Sequence, residues 1–370
     1  MSAQIRILHM IGSLGIGGSQ TFIMNIYRKI DRNKVQFDFI VDSPENDYYV
    51  KEIKNLGGKV YFFPKFNGKN YFQIRTFWKQ FLKKHREYRV LHSHVRSYAS
   101  IYLPIAKENG LITIIHSHSN SNGKGALAFC KSILQLPLRF QADYYMACSQ
   151  DAGEWLFGKK VCQSGKFQII NNAIDVDEFV FDMKKRKKIR LELGIKQEFV
   201  LGYLARVTEP KNPVFVIEVM SELIKLIPNA KLLFVGDGEL LSTVRLKAAE
   251  LDIEKNIIMT GARTDVSHLL SAMDCYILPS FWEGLGISLI EAQAAGLQCV
   301  CSEGIQDEAI VTDLVKRYPL SLGAKIWAEK IFAIHDICKR PDVSDKIKSA
   351  GFDIMNNSIM LQDFYEKLCL

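Results

Sequence analysis

The sequence predicts an α/β protein with two doubly wound parallel sheets. Short apolar segments alternate with longer amphipathic segments along the 370 residues, and this rhythm occurs twice. Many short segments are apolar at consecutive positions, which is typical of strands covered by helices on both faces. The length also exceeds what one small core usually spans, which favours two domains. Together these observations indicate two units built from βαβ elements.

The predicted strands follow in chain order. In the first half they cover residues 5–10, 37–41, 60–63, 90–94, 112–116, 144–148 and 167–170, and in the second half 199–204, 231–235, 257–260, 275–278 and 298–301. Helical spacing of apolar residues predicts helices at 19–30, 212–226, 239–251 and, at the end of the chain, 359–370. Turn-forming and acidic residues near 171–182 mark the predicted boundary between the two domains. We therefore expect one domain at 1–174 with about 355–370, and a second at 175–354.

Composition excludes several classes of protein. Apolar residues make up 48% and charged residues 24%, as in an average soluble globular chain. No segment approaches the roughly 18 uninterrupted apolar residues of a membrane span, and we expect no secretory signal. The eight scattered cysteines contain no CxxC pair, which favours small buried thiols in a reducing cytoplasm over a zinc or redox site.

The net charge of +8 is unevenly distributed. Residues 1–174 hold 24 Lys and Arg against 11 Asp and Glu, whereas the remainder holds 24 against 29. Such a surplus is compatible with nucleic acid, an anionic membrane surface or an anionic substrate. The basic run at 184–188 leads directly into a helical pattern, so we interpret it as a solvated helix face.

A glycine-rich turn follows the first predicted strand. Gly12, Gly15, Gly17 and Gly18 would let a ligand approach the backbone at a helix start. The turn matches neither the Walker A loop nor the GxGxxG fingerprint. Asp42 ends the second predicted strand, where a ribose-binding acid would lie, so a dinucleotide site stays open.

A second turn, after the strand at 275–278, is more informative. It places Glu283 in a glycine-rich loop and Glu291 about two turns into the following helix. A carboxylate accepts two hydrogen bonds and suits pairs of sugar hydroxyls, while free N–H groups at the helix start can receive a phosphate. Arg206 and Lys211 flank another loop in the same half, and two cations there can neutralise a diphosphate leaving group.

Two predicted strands end in histidines, His92 and His94 on one and His116 and His118 on the next. Residues at i and i+2 share a strand face, so a metal site is conceivable. No carboxylate or cysteine accompanies the pattern, and we expect no metal.

These motifs together resemble the retaining nucleotide-sugar glycosyltransferases of family 4. The resemblance rests on EGLGISLIEAQAAG at 283–296, the loop with Arg206 and Lys211, LLFVGDGEL at 232–240, NNAIDVDEF at 171–179 and the first glycine-rich turn. The sequence after residue 296 is most similar to bacterial exopolysaccharide and capsule glycosyltransferases. The resemblance implies a GT-B fold, with two Rossmann-like domains facing a central cleft and a C-terminal helix that returns to the first domain.

The resemblance also implies roles for individual residues. In the donor half, Arg206 and Lys211 would hold the diphosphate, Glu283 the transferred sugar and Glu291 the ribose. The remaining donor contacts would come from the backbone at Leu285, Gly286 and Ile287, from Arg263 at the base, and from Gly17 and Gly18 in the first domain.

In the acceptor half, His116 would contact the donor sugar near the reacting centre. His118, Ser119 and Asn120 would line the acceptor groove. His116, Glu283, Arg206 and Lys211 form the implied catalytic set. Ser19 and Gln20 stand where many members carry a small residue and Glu, which makes acceptor contacts there less certain.

The implied reaction is metal-independent transfer with retention, from a UDP-linked sugar to a lipid-linked or saccharide acceptor, with no cofactor. The resemblance implies that the enzyme acts in the cytoplasm, at the inner face of the membrane. It would serve the synthesis of a cell-surface polysaccharide. Residues 71–88 mix aromatics with cations, as either an interfacial helix or a domain helix with a basic outer face would. A nucleotide-sugar epimerase, a NAD-dependent enzyme and a nucleic-acid-binding protein are the alternatives, and nucleic acid is the least expected partner.

Overall fold

The computed structural model describes residues 4–15, 17–42, 47–118, 132–336 and 339–369. The chain forms two compact units, Met1–Ala173 with Ile354–Leu370 and Ile174–Asp353. The expected limits at 174 and about 355 differ from these by one residue.

Unit 1 is built on a parallel seven-stranded sheet in the order β3-β2-β1-β4-β5-β6-β7. All seven residues of β2 are buried, because helices cover both faces of the sheet. The strands are β1 (Ile5–Met10), β2 (Val35–Val41), β3 (Val60–Phe62), β4 (Val90–Ser93), β5 (Ile112–Ser117), β6 (Tyr144–Ala147) and β7 (Phe167–Ile169).

Two apolar cores, one on each face, join the helices of unit 1 to its sheet. The helices are α1 (Gly18–Lys29), α2 (Val50–Asn55), α3 (Tyr71–Lys84), α4 (Ala99–Glu108), α5 (Leu138–Gln141), α6 (Gln150–Phe157), α7 (Lys159–Cys162) and, from the end of the chain, the C-terminal helix Ile354–Cys369.

The C-terminal helix packs against α1, β1 and β2 and buries Leu361 and Tyr365 in the core of unit 1. It begins five residues before the expected position. Gly351 has a φ of 84°, a conformation that favours glycine, and it ends the preceding helical turn so that a new helix starts at Ile354.

Unit 2 is built on a parallel six-stranded sheet in the order β10-β9-β8-β11-β12-β13. The sequence did not predict its last strand, because Lys316 and Arg317 are exposed at this sheet edge and break the apolar pattern. The strands are β8 (Val200–Leu204), β9 (Lys231–Val235), β10 (Ile257–Gly261), β11 (Cys275–Leu278), β12 (Gln298–Ser302) and β13 (Val315–Tyr318).

The helices of unit 2 again cover both sheet faces. They are α8 (Val176–Phe179), α9 (Met183–Glu192), α10 (Pro213–Leu226), α11 (Leu241–Glu250), α12 (Val266–Ala272), α13 (Ile287–Ala294), α14 (Gly323–Phe332) and α15 (Ser344–Ile347). Short 3₁₀ turns lie at Glu209–Lys211, Glu254–Asn256, Asp307–Ala309 and Leu320–Leu322, and a π turn at Lys348–Phe352.

The basic run lies on α9, and the expectation of a solvated face is only partly right. The lysines at 184, 187 and 188 are exposed. Arg186 instead donates to the carbonyls of residues 271–273 and to Asp274 at 2.6 Å. Arg186 thus caps the C-terminal end of α12, where a cation is favoured by the helix dipole.

Two further expectations concern the cysteines and the membrane. The six described cysteines are free thiols, and Cys299 and Cys301 are buried in β12. In the ranges that the structure describes, no helix is both long and apolar enough to cross a membrane.

The strand order defines where a ligand can bind. In both sheets the order reverses at the first strand, between β1 and β4 in unit 1 and between β8 and β11 in unit 2. Loops after these strands diverge and leave a crevice at the carboxyl edge, which is where doubly wound sheets bind ligands. The glycine turn, Arg206 and Glu283 follow these strands, and the histidines lie at or just beyond the carboxyl ends of β1, β4 and the neighbouring β5.

Candidate active site

Two loops of unit 2 meet beyond the carboxyl ends of β8 and β11. The backbone N–H of Phe281 donates to the carbonyl of Pro210 at 2.8 Å, which ties the loops together. Lys211 Nζ forms an ion pair with Glu283 Oε2 across this junction. Arg206, at the start of the first loop, is exposed. The structure therefore brings these three predicted residues onto one adjoining pair of loops.

Glu283 is held on both carboxylate oxygens. Its side chain is only 6% exposed, Lys211 binds one oxygen, and Ser280 Oγ donates to the other at 2.7 Å. Its own backbone N–H donates to Gly304 O at 3.2 Å. Burial of a carboxylate is costly unless it is paired and hydrogen-bonded, and here it is both. A sugar hydroxyl at this position would meet a fixed acceptor rather than a mobile one.

Helix α13 starts directly after this loop. Its N-cap, Gly286, has a φ of 78° and a ψ of 50°, a left-handed conformation that favours glycine. No side chain of a described residue caps this helix, and its first turn has no acidic residue. The positive end of the helix dipole can thus receive an anion at Leu285–Ile287, as expected for the phosphates.

Glu291 lies one turn further along α13 and is partly buried. Burial, followed by the negative charge of Glu178, raises the pKa of Glu291 to about 8. No hydrogen-bond partner is found for its carboxyl group among the described residues. Glu291 is thus a partly buried carboxyl group with no hydrogen-bond partner among the described residues, in contrast to Glu283.

Arg263 follows β10, where the base was expected. It makes a two-pronged ion pair with Asp265, at 2.7 and 2.8 Å, and donates to Glu192 at 3.0 Å. These contacts raise the pKa of Arg263 above its usual value. Three of its five N–H groups are thus engaged, and a base at this position would meet an arginine that is already fixed in place.

The glycine-rich turn of unit 1 leads into α1. Gly17 is the N-cap and the helix begins at Gly18. A Cβ at Gly18 would meet no described atom within 4 Å, whereas one at Gly17 would lie 2.6 Å from Gln20 Oε1. The packing of the described residues therefore does not require glycine at position 18. Asp42, the candidate for a dinucleotide acid, accepts from Tyr98 at 3.0 Å.

Five histidines lie together at the carboxyl ends of β1, β4 and β5. The sequence pointed to four of them and missed His9, which pairs in register with His92 across β1 and β4. His9 Nδ1 lies 3.1 Å from His94 Nε2, and His94 Nδ1 lies 2.8 Å from His118 Nε2. His92 Nε2 lies 3.2 Å from His116 Nδ1. The cluster thus consists of two hydrogen-bonded rows.

Burial keeps these histidines neutral. Desolvation lowers the pKa of His94 to about 3 and the pKa of the other four well below the usual value. His9 Nε2, His116 Nε2 and His118 Nδ1 are buried without a hydrogen-bond partner among the described residues. Neutral imidazoles can also bind a metal, and ligand atoms of two triads, His9-His92-His94 and His94-His116-His118, lie within 4.8 Å of one another. The expectation of no metal therefore stays a prediction.

The acceptor residues are described only in part. His118 extends the row that contains His94. Ser119 and Asn120 lie outside the described residues.

The chain matches two glycosyltransferase domains. Residues 16–178 match the domain described as Glycosyltransferase Family 4, and residues 185–318 match the domain described as Glycosyl transferases group 1. The first lies almost wholly in unit 1 and the second within unit 2.

Two relatives illustrate the similarity. EpsF of Bacillus subtilis (strain 168), assigned as a glycosyltransferase, is 28% identical over 98% of this chain and 97% of its own length. The UDP-Gal:alpha-D-GlcNAc-diphosphoundecaprenol alpha-1,3-galactosyltransferase of Escherichia coli is 33% identical over 37% of this chain and 36% of its own.

Solved structures share the fold. HepE of Anabaena, in complex with UDP and glucose, has a TM-score of 0.79 at 17% identity and covers 98% of this chain and 100% of its own. Sucrose-phosphate synthase of Thermosynechococcus elongatus has a TM-score of 0.78 at 16% identity, with 99% of each chain covered.

Two parallel Rossmann-like sheets and these matches define a glycosyltransferase of the GT-B fold. Within that class, the chain belongs to the family 4 glycosyltransferases. This membership favours a transferase over the epimerase and the NAD-dependent enzyme considered from the sequence.

Three contributors to the site were not predicted. Ser280 is a serine after a strand, and Tyr365, whose hydroxyl lies 2.6 Å from His92 Nδ1, is a tyrosine on the C-terminal helix. Neither carries a signal in the sequence alone. His9 does carry one, because it lies near the carboxyl end of the first strand beside the glycine turn.

The raised pKa of Glu291 predicts a pH-dependent stability. The unfolded glutamate has a pKa of about 4.3. Because the native state holds the proton more tightly, stability is greatest at low pH and falls as pH rises towards 8. Glu291→Gln removes this penalty, so the stability of the variant relative to the wild type should rise by about 3–4 kcal/mol between pH 5 and pH 8. Urea unfolding at several pH values measures the difference.

The matched control is Glu250→Gln, which alters an exposed glutamate of α11 in the same unit. Its stability should follow the wild type across the pH range. Parallel curves for the wild type and Glu291→Gln would show that Glu291 is ionised in the native state.

Proposed function

We propose that this glycosyltransferase moves a sugar from a UDP-linked donor to a hydroxyl of a lipid-linked or saccharide acceptor, in the synthesis of a cell-surface polysaccharide. The observation that carries the proposal is the set of Arg206, Lys211, Glu283 and Glu291 on adjoining elements of unit 2. The names of the relatives support the substrate class, since the Escherichia coli enzyme uses UDP-Gal and HepE is bound to UDP and glucose.

The donor roles follow from charge and burial. Arg206 is an exposed cation and Lys211 is already paired with Glu283, so Arg206 supplies the larger share of free positive charge for the diphosphate. The start of α13 adds backbone N–H groups at Leu285–Ile287. Glu283 accepts from the transferred sugar and Glu291 from the ribose hydroxyls. Arg263 is assigned to the base, and Gly17 and Gly18 to the close approach of the donor.

The proposed reaction retains the configuration at the anomeric carbon. The bond from that carbon to the diphosphate oxygen breaks, the acceptor oxygen bonds on the same face, and the acceptor proton passes to the leaving diphosphate. Glu283 is held on both oxygens by Lys211 and Ser280, which suits a positioning acid better than a nucleophile. The cations stabilise the leaving group, so the proposal needs neither a metal nor a cofactor. His116 contacts the sugar.

Unit 1 is assigned to the acceptor, with His118, Ser119 and Asn120 lining the groove. Its helix α3 buries Ile74, Trp78 and Leu82 against the core, so it is a domain helix. Its outer face carries Phe72, which is 80% exposed, and the exposed lysines at 79, 83 and 84. Such a face suits an anionic lipid surface, and we place the enzyme in the cytoplasm at the inner face of the membrane.

A panel of nucleotide sugars tests the donor. UDP-glucose or another UDP-sugar should raise the melting temperature, because a ligand that binds only the native state stabilises it. Arg206→Ala should weaken that binding about tenfold, since a hydrogen bond to a charged group is lost. Titration calorimetry measures the affinity.

The control is Lys225→Ala, which removes an exposed cation in the last turn of α10. It should bind the donor like the wild type. A panel in which no nucleotide sugar stabilises the protein, or equal losses in both variants, would contradict the donor site.

Retention is tested on the product. With α-linked UDP-glucose, or whichever UDP-α-sugar the panel selects, the ¹H anomeric coupling of the product should show an α linkage. Intact-mass analysis of the protein after incubation with donor should show no added sugar. A β product, or a sugar trapped on Glu283 or another side chain, would refute the same-face mechanism.

Vesicle flotation tests the membrane surface. The protein should float with phosphatidylethanolamine–phosphatidylglycerol vesicles at low salt and less at moderate salt, because the attraction is electrostatic. The triple variant Lys79→Glu, Lys83→Glu and Lys84→Glu should lose flotation. Its control reverses the exposed lysines at 184, 187 and 188 on α9 and should keep it. Absence of flotation at either salt concentration would remove the membrane from the proposal.

A further inference from the structure

We propose that Tyr365, on the C-terminal helix, acts through His92 to hold His116 in the tautomer whose Nε2–H donates a hydrogen bond to the bound sugar. Tyr365 and His92 are positioning residues in this arrangement, and His116 is the group that touches substrate. The role of the sugar rests on the proposed function, whereas the tautomer rests on the contacts of unit 1 alone.

The contacts form one continuous row. The Tyr365 hydroxyl lies 2.6 Å from His92 Nδ1, and His92 Nε2 lies 3.2 Å from His116 Nδ1. All three side chains are fully buried. His116 Nε2, at the end of the row, is buried and has no hydrogen-bond partner in the part of the chain that the structure describes.

Only two arrangements of protons satisfy the row. In the first, Tyr365 donates to His92 Nδ1, His92 Nε2–H donates to His116 Nδ1, and His116 carries its proton on Nε2. In the second, every bond is reversed, and the Tyr365 hydroxyl must donate elsewhere. Each neutral imidazole has one donor and one acceptor nitrogen, so no other arrangement pairs all the inner atoms.

The first arrangement leaves fewer buried groups unpaired. It leaves one, the His116 Nε2–H, whereas the second leaves the Tyr365 O–H without an acceptor and His116 Nε2 without a donor. An unpaired buried polar group costs about 1–3 kcal/mol, so the first arrangement is favoured by roughly that amount. Burial raises the pKa of Tyr365 well above its usual value, which keeps the donating hydroxyl protonated.

A second row in the same cluster has no tyrosine at its end among the described residues. His9, His94 and His118 are hydrogen-bonded in sequence, and the side chain of Asn172 interacts with His118. The tyrosine hydroxyl therefore distinguishes the row that ends at His116.

The fixed tautomer limits what His116 can do. Its ring nitrogen Nε2, which has no partner among the described residues, is a neutral donor and cannot take a proton. His116 would thus hold a sugar hydroxyl or the ring oxygen in place rather than act as a general base. The C-terminal helix, the last element of the chain, is required to complete this state.

Nitrogen NMR of protein labelled with [¹⁵N]histidine tests the tautomer without any need for turnover. The wild type should show a protonated Nε2 and an unprotonated Nδ1 for His116, assigned with His116→Gln. Tyr365→Phe should shift His116 towards the other tautomer and lower kcat about tenfold with little change in KM for the donor, as expected for one lost hydrogen bond.

Two controls separate this role from loss of folding. Tyr102→Phe removes another fully buried hydroxyl of unit 1, which lies 2.5 Å from Ser93 Oγ, and should leave the His116 tautomer unchanged. His92→Gln can still accept from Tyr365 and donate to His116, so it should keep the Nε2–H form, whereas His92→Leu should not.

The outcomes are distinct. A protonated Nδ1 on His116 in the wild type, an unchanged tautomer in Tyr365→Phe, or the ¹⁵N shifts of metal-bound imidazoles would overturn the proposal. If no nucleotide sugar is used, the proposed function fails while the tautomer result still decides the role of Tyr365.

Discussion

The parallel order of both sheets is the constraint on which the rest of the structure depends. Strands such as β2 and β11 are buried on both faces by helices, so a polar side chain in their interiors needs a partner, as Asp38 of β2 has in Arg6 and Tyr88. The carboxyl edges, where β1 and β4 or β8 and β11 diverge, leave room for a ligand. The glycine turn, the histidine rows and the Arg206–Glu283 loops lie at these edges.

Buried polar groups at the carboxyl edges of the two sheets are stabilised in different ways. In unit 2 the buried Glu283 is paired with Lys211 and Ser280, whereas Glu291 has no protein partner and is held in its neutral form by a raised pKa. In unit 1 the histidines are uncharged and pair with one another and with Tyr365. Each edge thus leaves polar groups without a hydrogen-bond partner among the described residues: Glu291 in unit 2, and His9 Nε2, His116 Nε2 and His118 Nδ1 in unit 1. Glu291 and His116 Nε2 are groups that a ligand could satisfy.

Local patterns predicted most of the fold because both units alternate short apolar strands with amphipathic helices. Twelve apolar segments, each assigned as a strand, correspond to β1 through β12, and the rhythm of strands and helices defined the class. β13 was missed because an edge strand with Lys316 and Arg317 does not need to be apolar. Arg186 was assigned to a solvated face because the carbonyls that it caps lie about 85 residues away in sequence.

The sequence by itself determined the fold class and the glycine turn, and it pointed to Arg206, Lys211, Glu283 and Glu291 as candidate site residues, because local spacing after a strand is enough to reveal such candidates. Only the tertiary structure decided their partners. Lys211 meets Glu283 across 72 residues and His92 meets Tyr365 across 273. Hydrogen bonding depends on distance in space. The parallel sheets bring together side chains that are far apart in the sequence, so local spacing cannot predict these contacts.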